Sequence, residues 1–154
     1  MADGTASEAP VDEKTEDTAL QEALAALHTA VWGYGVVGDA LPASGRAPAE
    51  TAEAAHRDLR DRVAELLDSR KETPVAAKAG YALPFPVLSA VDAAALGAVL
   101  ENGVAAAWVR VLGQSAQRAT RELAVGLLSA AEVRAVTWRI AAGKKPVTRA
   151  LPGL

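Results

Sequence analysis

ETPVAAKAGYALPFPVLSAV, running from Glu72 to Val91, is the stretch whose reading decides the fold. Pro74, Gly80, Pro84 and Pro86 interrupt it repeatedly, so it cannot continue a helix. A connection of ~20 residues is unusually long inside a compact domain. It also carries Tyr81, Leu83, Phe85 and Val87, side chains that favour burial. Such an apolar, proline-stiffened segment is expected to lie along the surface of the protein. Extended, it reaches up to ~65 Å, whereas a helix of ~22 residues is only ~33 Å long. It can therefore return the chain from one end of a helical bundle to the other.

Working outward, two helices are expected on each side. Leu20, Leu24, Leu27, Val31, Tyr34, Gly38 and Leu41 recur at spacings of three and four, the stripe of a first helix beginning near Thr18. Pro42 ends it. Pro48 opens a second helix, running to about Lys71, with Ala52, His56, Leu59, Val63 and Leu66 inward. Beyond the connector, a third helix from an Asp92 cap to about Leu112 turns Gly97, Leu100, Val104, Ala107 and Val111 to the core. A fourth, from about Ser115 to Ala142, does so with Leu123, Leu127, Ala130, Val133, Val136 and Ile140. Gly143 and Pro146 stop it, and the apolar Leu151-Pro-Gly-Leu154 is expected to dock. Helix, short turn, helix, long crossover, helix, short turn, helix is ferritin-like connectivity, distinct from a simple up-down-up-down bundle. The expected fold is all-α, a ferritin-like four-helix bundle with a long crossover between helices two and three.

Composition agrees. Hydrophobic residues make up 51% of the 154 and aromatics only 4%, which suits slender, closely packed helices in one domain. No run reads as both apolar and long enough to span a bilayer, so no membrane association is expected. The N-terminus lacks a basic region followed by an apolar stretch, and the chain has no cysteine; both suit a cytoplasmic protein. The net charge of −3 is unevenly spread. Six acids against Lys14 give Met1–Thr18 a charge of −5, which leaves +2 for the rest. Residues 1–17 therefore read as a disordered acidic tail, with the bundle domain at 18–154. The basic excess collects at Arg134, Arg139, Lys144, Lys145 and Arg149. No aromatic residue alternates with the terminal lysines, so nucleic acid is not an expected partner.

Glu53-x-x-His56 on the second helix has the ligand spacing that ferritin-like bundles use for iron. Helices one and two should pair at residue numbers summing to about 90, and helices three and four at about 228, across their short turns. His56 then lies level with Tyr34, near Leu100 and Glu101, and with Leu127, Ala130 and Ala131 on helix four. A di-iron carboxylate site needs two such motifs and two further Glu residues. Glu132 has Ala135 three residues on, so no second motif exists. Two readings follow. In the favoured one, Glu53, His56 and Glu101 form a hydrogen-bonded polar cluster with Tyr34, without a cofactor. In the other, Glu53, His56 and Glu101 hold iron or manganese. No catalytic residue can be named: glycine-rich phosphate loops are absent, and Ser44 and Ser115 lack a histidine arrangement that would make a nucleophile. Trp32, Trp108 and Trp138 read as core or interface anchors.

Several stretches resemble an alanine-rich, actinobacterial ferritin-like domain of unknown function. They are His28-Thr-Ala-Val-Trp-Gly-Tyr-Gly35, Ala55-His-Arg57, Tyr81-Ala-Leu-Pro-Phe-Pro-Val87, Glu101 through Trp108, Thr137-Trp-Arg139 and Pro152-Gly-Leu154. The similarity runs from roughly Ala19 to the end. It implies a fold, with no established reaction or substrate. Many members carry Glu immediately before the helix-one histidine; here that position is Leu27. The expectation is a non-catalytic, homodimeric binding or scaffolding module. A metal-dependent oxidase or hydroxylase with an incomplete or mononuclear site is the alternative, and a basic-ended adaptor that touches RNA ranks last. The small-molecule ligand cannot be read from the sequence.

Overall fold

The computed structural model describes residues 12–154. Among them the chain forms α1 (Glu13–Ala40), α2 (Ala47–Ser69), α3 (Ala90–Gln114) and α4 (Arg118–Ala141), with a 3-10 turn at Ala43–Gly45 and no strand. Side chains along the helices fix their directions. Glu16 meets Arg70 and Tyr34 stacks on His56, so α1 and α2 are antiparallel. Glu101 meets Arg134, and Gly97 lies under Trp138, so α3 and α4 are antiparallel too. The connector makes α2 and α3 parallel. α3 packs against both α1 and α4, while α2 and α4 meet only sparsely.

α3 corrects one expectation. Its 25 residues include an 18-residue window with mean hydropathy 1.3, long and apolar enough to cross a membrane by composition alone. Here 61% of that window is buried inside the bundle, because α3 packs against both α1 and α4. Its cap also differs from Asp92. Ser89 is the N-cap, accepting from the Asp92 N–H at 3.1 Å, while Asp92 accepts from the Leu88 N–H and the Ser89 hydroxyl. This reciprocal arrangement satisfies donors that a helix start leaves free.

The start of α1 is a second correction. Asp12 caps the helix by accepting from Thr15 N–H at 2.7 Å, so residues 13–17, read from sequence as disordered, are helical. Residues 1–11 of that tail lie outside the described residues. Glu16 is fully buried. It accepts hydrogen bonds from Arg70 (2.7 Å), Thr120 (2.5 Å) and the Gln117 N–H (2.9 Å), joining the start of α1 to the end of α2 and the start of α4.

The connector lies along α1, held at intervals. Gln21 bonds both Thr73 O (2.7 Å) and Val75 N (2.8 Å), His28 Nε2 donates to Val75 O (2.9 Å), and Trp32 packs on Tyr81. Phe85 and Val87 are half-buried against the core, while Leu83 stays 39% exposed. The C-terminal segment docks through Gly153 rather than its leucines. A methyl group at Gly153 would fall 2.8 Å from Ala105 O, so only glycine permits this approach to α3, and Leu151 and Leu154 remain exposed.

α4 turns a different face inward from the one its spacing suggests. Ala124, Ala131, Ala135 and Trp138 are buried, whereas Val133 and Ile140 are 68% and 62% exposed. Periodicity finds an apolar stripe but cannot say which of two stripes faces the core.

Candidate functional site

The apolar interior is divided into two clusters. One centres on Leu20, Leu24, Leu59, Val63 and Trp108, the other on Tyr34, Val37, Ala52, Leu96 and Trp138. Between them lies a polar layer built from all four helices. His56 comes from α2, between Ala52 and Leu59, and Glu101 from α3, between Leu100 and Val104. Both are fully buried. Glu101 Oε1 accepts from the Tyr34 hydroxyl (2.5 Å), His56 Nε2 (2.8 Å) and Arg134 Nε (2.9 Å). The Tyr34 oxygen in turn accepts from the Trp138 indole N–H at 2.7 Å. Trp138 can lie so close to α3 because residue 97 is glycine; a Cβ there would fall 2.7–2.9 Å from the indole ring.

The electrostatics follow from this geometry. Burial alone would push the Glu101 carboxyl up. The hydrogen bond and charge of His56, the Arg134 guanidinium and the Tyr34 hydroxyl outweigh it and hold the carboxyl below its ordinary range. Burial, and then the adjacent Glu101 charge, push the Tyr34 phenol far upward, so it stays a neutral donor.

The predicted residues divide. His56, Glu101 and Tyr34 come together at one level. Glu53 does not join them: it lies on the outer part of α2, its carboxylate accepting from Arg57 Nε and Nη2. Arg134 and Trp138 stand in the layer where Leu127, Ala130 and Ala131 were expected. Both Glu101–Arg134 and Gly97–Trp138 have residue numbers summing to 235, not 228. α3 ends at Gln114 and α4 starts at Arg118, later than the sequence suggested at both ends of the turn, and in an antiparallel pair these displacements add.

This donor set does not suit a metal ion. Among the described residues no three His, Asp or Glu side chains form a metal-holding group. His56 spends Nε2 on Glu101, so its remaining nitrogen, Nδ1, sits on the far side of the ring and cannot share an ion with Glu101 Oε2. Both atoms are buried without a partner among the described residues. Arg134 already brings a fixed positive charge to the carboxylate, the charge a cation would otherwise supply.

A second polar cluster sits beside this one. Arg139, one of the residues in which the late basic excess collects, is buried and bonds Glu132, Asn102 and Val147 O. Only its identity as a long cation was visible in the sequence.

Two surface depressions flank the layer. One, between α2 and α4, has Arg134 and Trp138 in its wall. The other is an apolar cleft of about 460 Å³ between α1, α3 and the connector. Trp32 and Tyr81 form one side; Leu96, Val99, Leu100 and Gly103 form the other. Among the described residues, no ionisable group except the Tyr81 phenol lines it. The sequence marks Trp32 as an anchor and Tyr81 as a connector side chain that favours burial, but it carries no signal that the connector brings them together over α3.

No curated protein matches this chain. A solved structure, that of the conserved hypothetical protein rv2844 from Mycobacterium tuberculosis, is 35% identical with a TM-score of 0.81. The match covers 84% of this chain and 98% of that one. A family model, "Domain of unknown function (DUF4439)", matches residues 19–154. With most of its length matched, the chain belongs to this family of helical domains of unknown function.

Proposed function

We propose that the protein is a ferritin-like bundle acting as a non-catalytic, homodimeric binding module in the cytoplasm, and that it takes an uncharged, apolar small molecule. The ferritin-like reading rests on the crossover and on the parallel pair α2 and α3, with Glu-x-x-His spacing at mid-height. The observation that carries the binding reading is the cleft between α1, α3 and the connector. Its volume of about 460 Å³ falls in the range of small-molecule sites. Its wall offers aromatic and aliphatic surface with no charge to neutralise, which selects against ionic ligands.

The uncharged fluorophore N-phenyl-1-naphthylamine provides the test. It should bind saturably and brighten. Gly103→Leu should abolish that signal at an unchanged melting temperature, because a Cβ at Gly103 meets no neighbour within 4 Å and its side chain would fill the cleft. Equal brightening by both proteins would refute the site.

Metal chemistry through Glu53, His56 and Glu101 is disfavoured by the donor set, since Arg57 holds Glu53 and Arg134 compensates Glu101. Stoichiometric iron or manganese in the purified protein would reinstate it.

A further inference from the structure

We propose that the ligand of the cleft carries an uncharged carbonyl oxygen, which accepts a hydrogen bond from the Tyr81 hydroxyl while its hydrocarbon body lies against α3. This rests on the cleft reading above and names the class of molecule, an apolar ketone or ester.

Tyr81 has a hydrogen to give. Its oxygen accepts from the Lys78 N–H at 3.1 Å, a bond within the connector that holds the phenol oxygen in place. A phenol both donates and accepts. The Tyr81 O–H hydrogen meets no acceptor among the described residues, so its donor capacity is unspent. The ring itself packs on Trp32, with centroids 5.8 Å apart and planes tilted by 53°. Both rings are half-buried, so a ligand can reach them. The Trp32 indole N–H is not sealed in the interior as the unpaired Trp108 N–H is, which makes this wall of the cleft one of hydrogen-bond donors.

What the lining lacks selects the ligand. Among the described residues it holds no carboxylate, side-chain amide or imidazole to take a hydrogen from a ligand. Its other hydroxyl, that of Thr29, turns its own hydrogen to Ala25 O at 3.0 Å. An alcohol, amine or acid would bring hydrogens that these side chains do not take up, and burying such a group unpaired is unfavourable. A carbonyl brings two lone pairs and no hydrogen. The facing wall sets the orientation. It is aliphatic, made by Leu96, Val99 and Leu100 of α3. Leu100 lies so close over α1 that a Cβ at Gly33 would fall 2.6 Å from its side chain, while Gly103 leaves open space beside it. With its oxygen toward Tyr81 and its hydrocarbon toward α3, a ketone or ester leaves neither part mismatched.

Two naphthalenes that differ by one oxygen test this. 2-Acetylnaphthalene has the carbonyl; 2-ethylnaphthalene has the same rings and chain length without it. Each is titrated against the N-phenyl-1-naphthylamine complex of the wild type and of Tyr81→Phe, which removes the hydroxyl and keeps the ring. The variant should fold normally, since Tyr81 is half-buried and the Lys78 N–H it frees lies on an exposed residue. It should weaken the ketone by about threefold to tenfold, the loss of one hydrogen bond. It should leave the hydrocarbon within about twofold, so that the difference isolates the oxygen. Equal factors for the two compounds, or a ketone that fails to displace the fluorophore, would overturn the carbonyl assignment alone. A fluorophore signal that Gly103→Leu leaves intact would overturn the cleft reading and this inference with it.

Discussion

Replacing Glu101 with Leu probes the polar layer most directly. The change preserves bulk and removes the only acceptor that three donors share. Tyr34 and His56 are 1% and 0% exposed, so neither can turn to water. Each buried donor left unpaired costs ~1–3 kcal/mol. Arg134, with 26% of its side chain exposed, can swing outward and adds little. The apolar surface gained by Leu offsets ~1–2 kcal/mol. The net loss expected is ~2–4 kcal/mol, or roughly 4–16 °C in melting temperature for a domain of this size. Urea unfolding followed by circular dichroism at neutral pH measures it. The pH dependence gives a second readout. Because the folded carboxyl titrates below its ordinary value, its contribution is present above that value, 4.5, and is lost as pH falls through the folded one. The stability gap between wild type and variant should therefore narrow on acidification below 4.5. A variant within ~1 kcal/mol of wild type at neutral pH would refute the idea that this carboxylate satisfies the layer.

Other outcomes follow from the same geometry. His56→Ala should cost ~1–3 kcal/mol in urea unfolding, since Glu101 loses a buried donor. A truncation ending at Val11 spares Glu16, whereas one ending at Asp17 removes it. The second protein should melt lower by several degrees, in line with the ~3–5 kcal/mol lost when a buried ion pair is broken, and equal melting temperatures would count against the Glu16–Arg70 contact. Gly97→Ala should destabilise by ~1–3 kcal/mol, because the clash with the Trp138 ring exceeds the ~1 kcal/mol of helix propensity gained. Joint replacement of Gln21 and His28 by Ala should speed tryptic cleavage at Lys78 in the native protein; unchanged digestion would mean that these side chains do not hold the connector.

The four helices were legible because their apolar residues recur with helical spacing and because proline and glycine punctuate the gaps. The pairing of Tyr34 with His56 was also legible, since a short turn leaves little freedom in register. Two things were hidden. Arg134 and Trp138 entered the layer because the α3–α4 turn starts and ends later than composition suggests, and the two displacements add. The face of α4 was misread because Val133 and Ile140 look like core residues, while Ala131 and Ala135 carry no hydrophobic signal strong enough to compete. Glu16 was missed for a related reason. A charged residue in an acidic segment reads as solvated unless its partners, here Arg70 and Thr120, are known to converge on it.

Alanine-rich helices have smooth sides, and smooth sides slide. If α4 moved one turn along α3, ~5.4 Å, many alanine contacts would be exchanged for equivalent ones at little cost. The Glu101 layer does not tolerate that movement. Arg134 and Trp138 would lose Glu101 and Tyr34 together, and the indole would leave the gap over Gly97. The layer therefore works as a detent: it contributes little by size, yet it distinguishes one alignment of the four rods from its near-degenerate neighbours. An entirely apolar replacement of the layer could match or exceed its stability and still lose that discrimination, leaving a bundle that is tightly folded in more than one alignment.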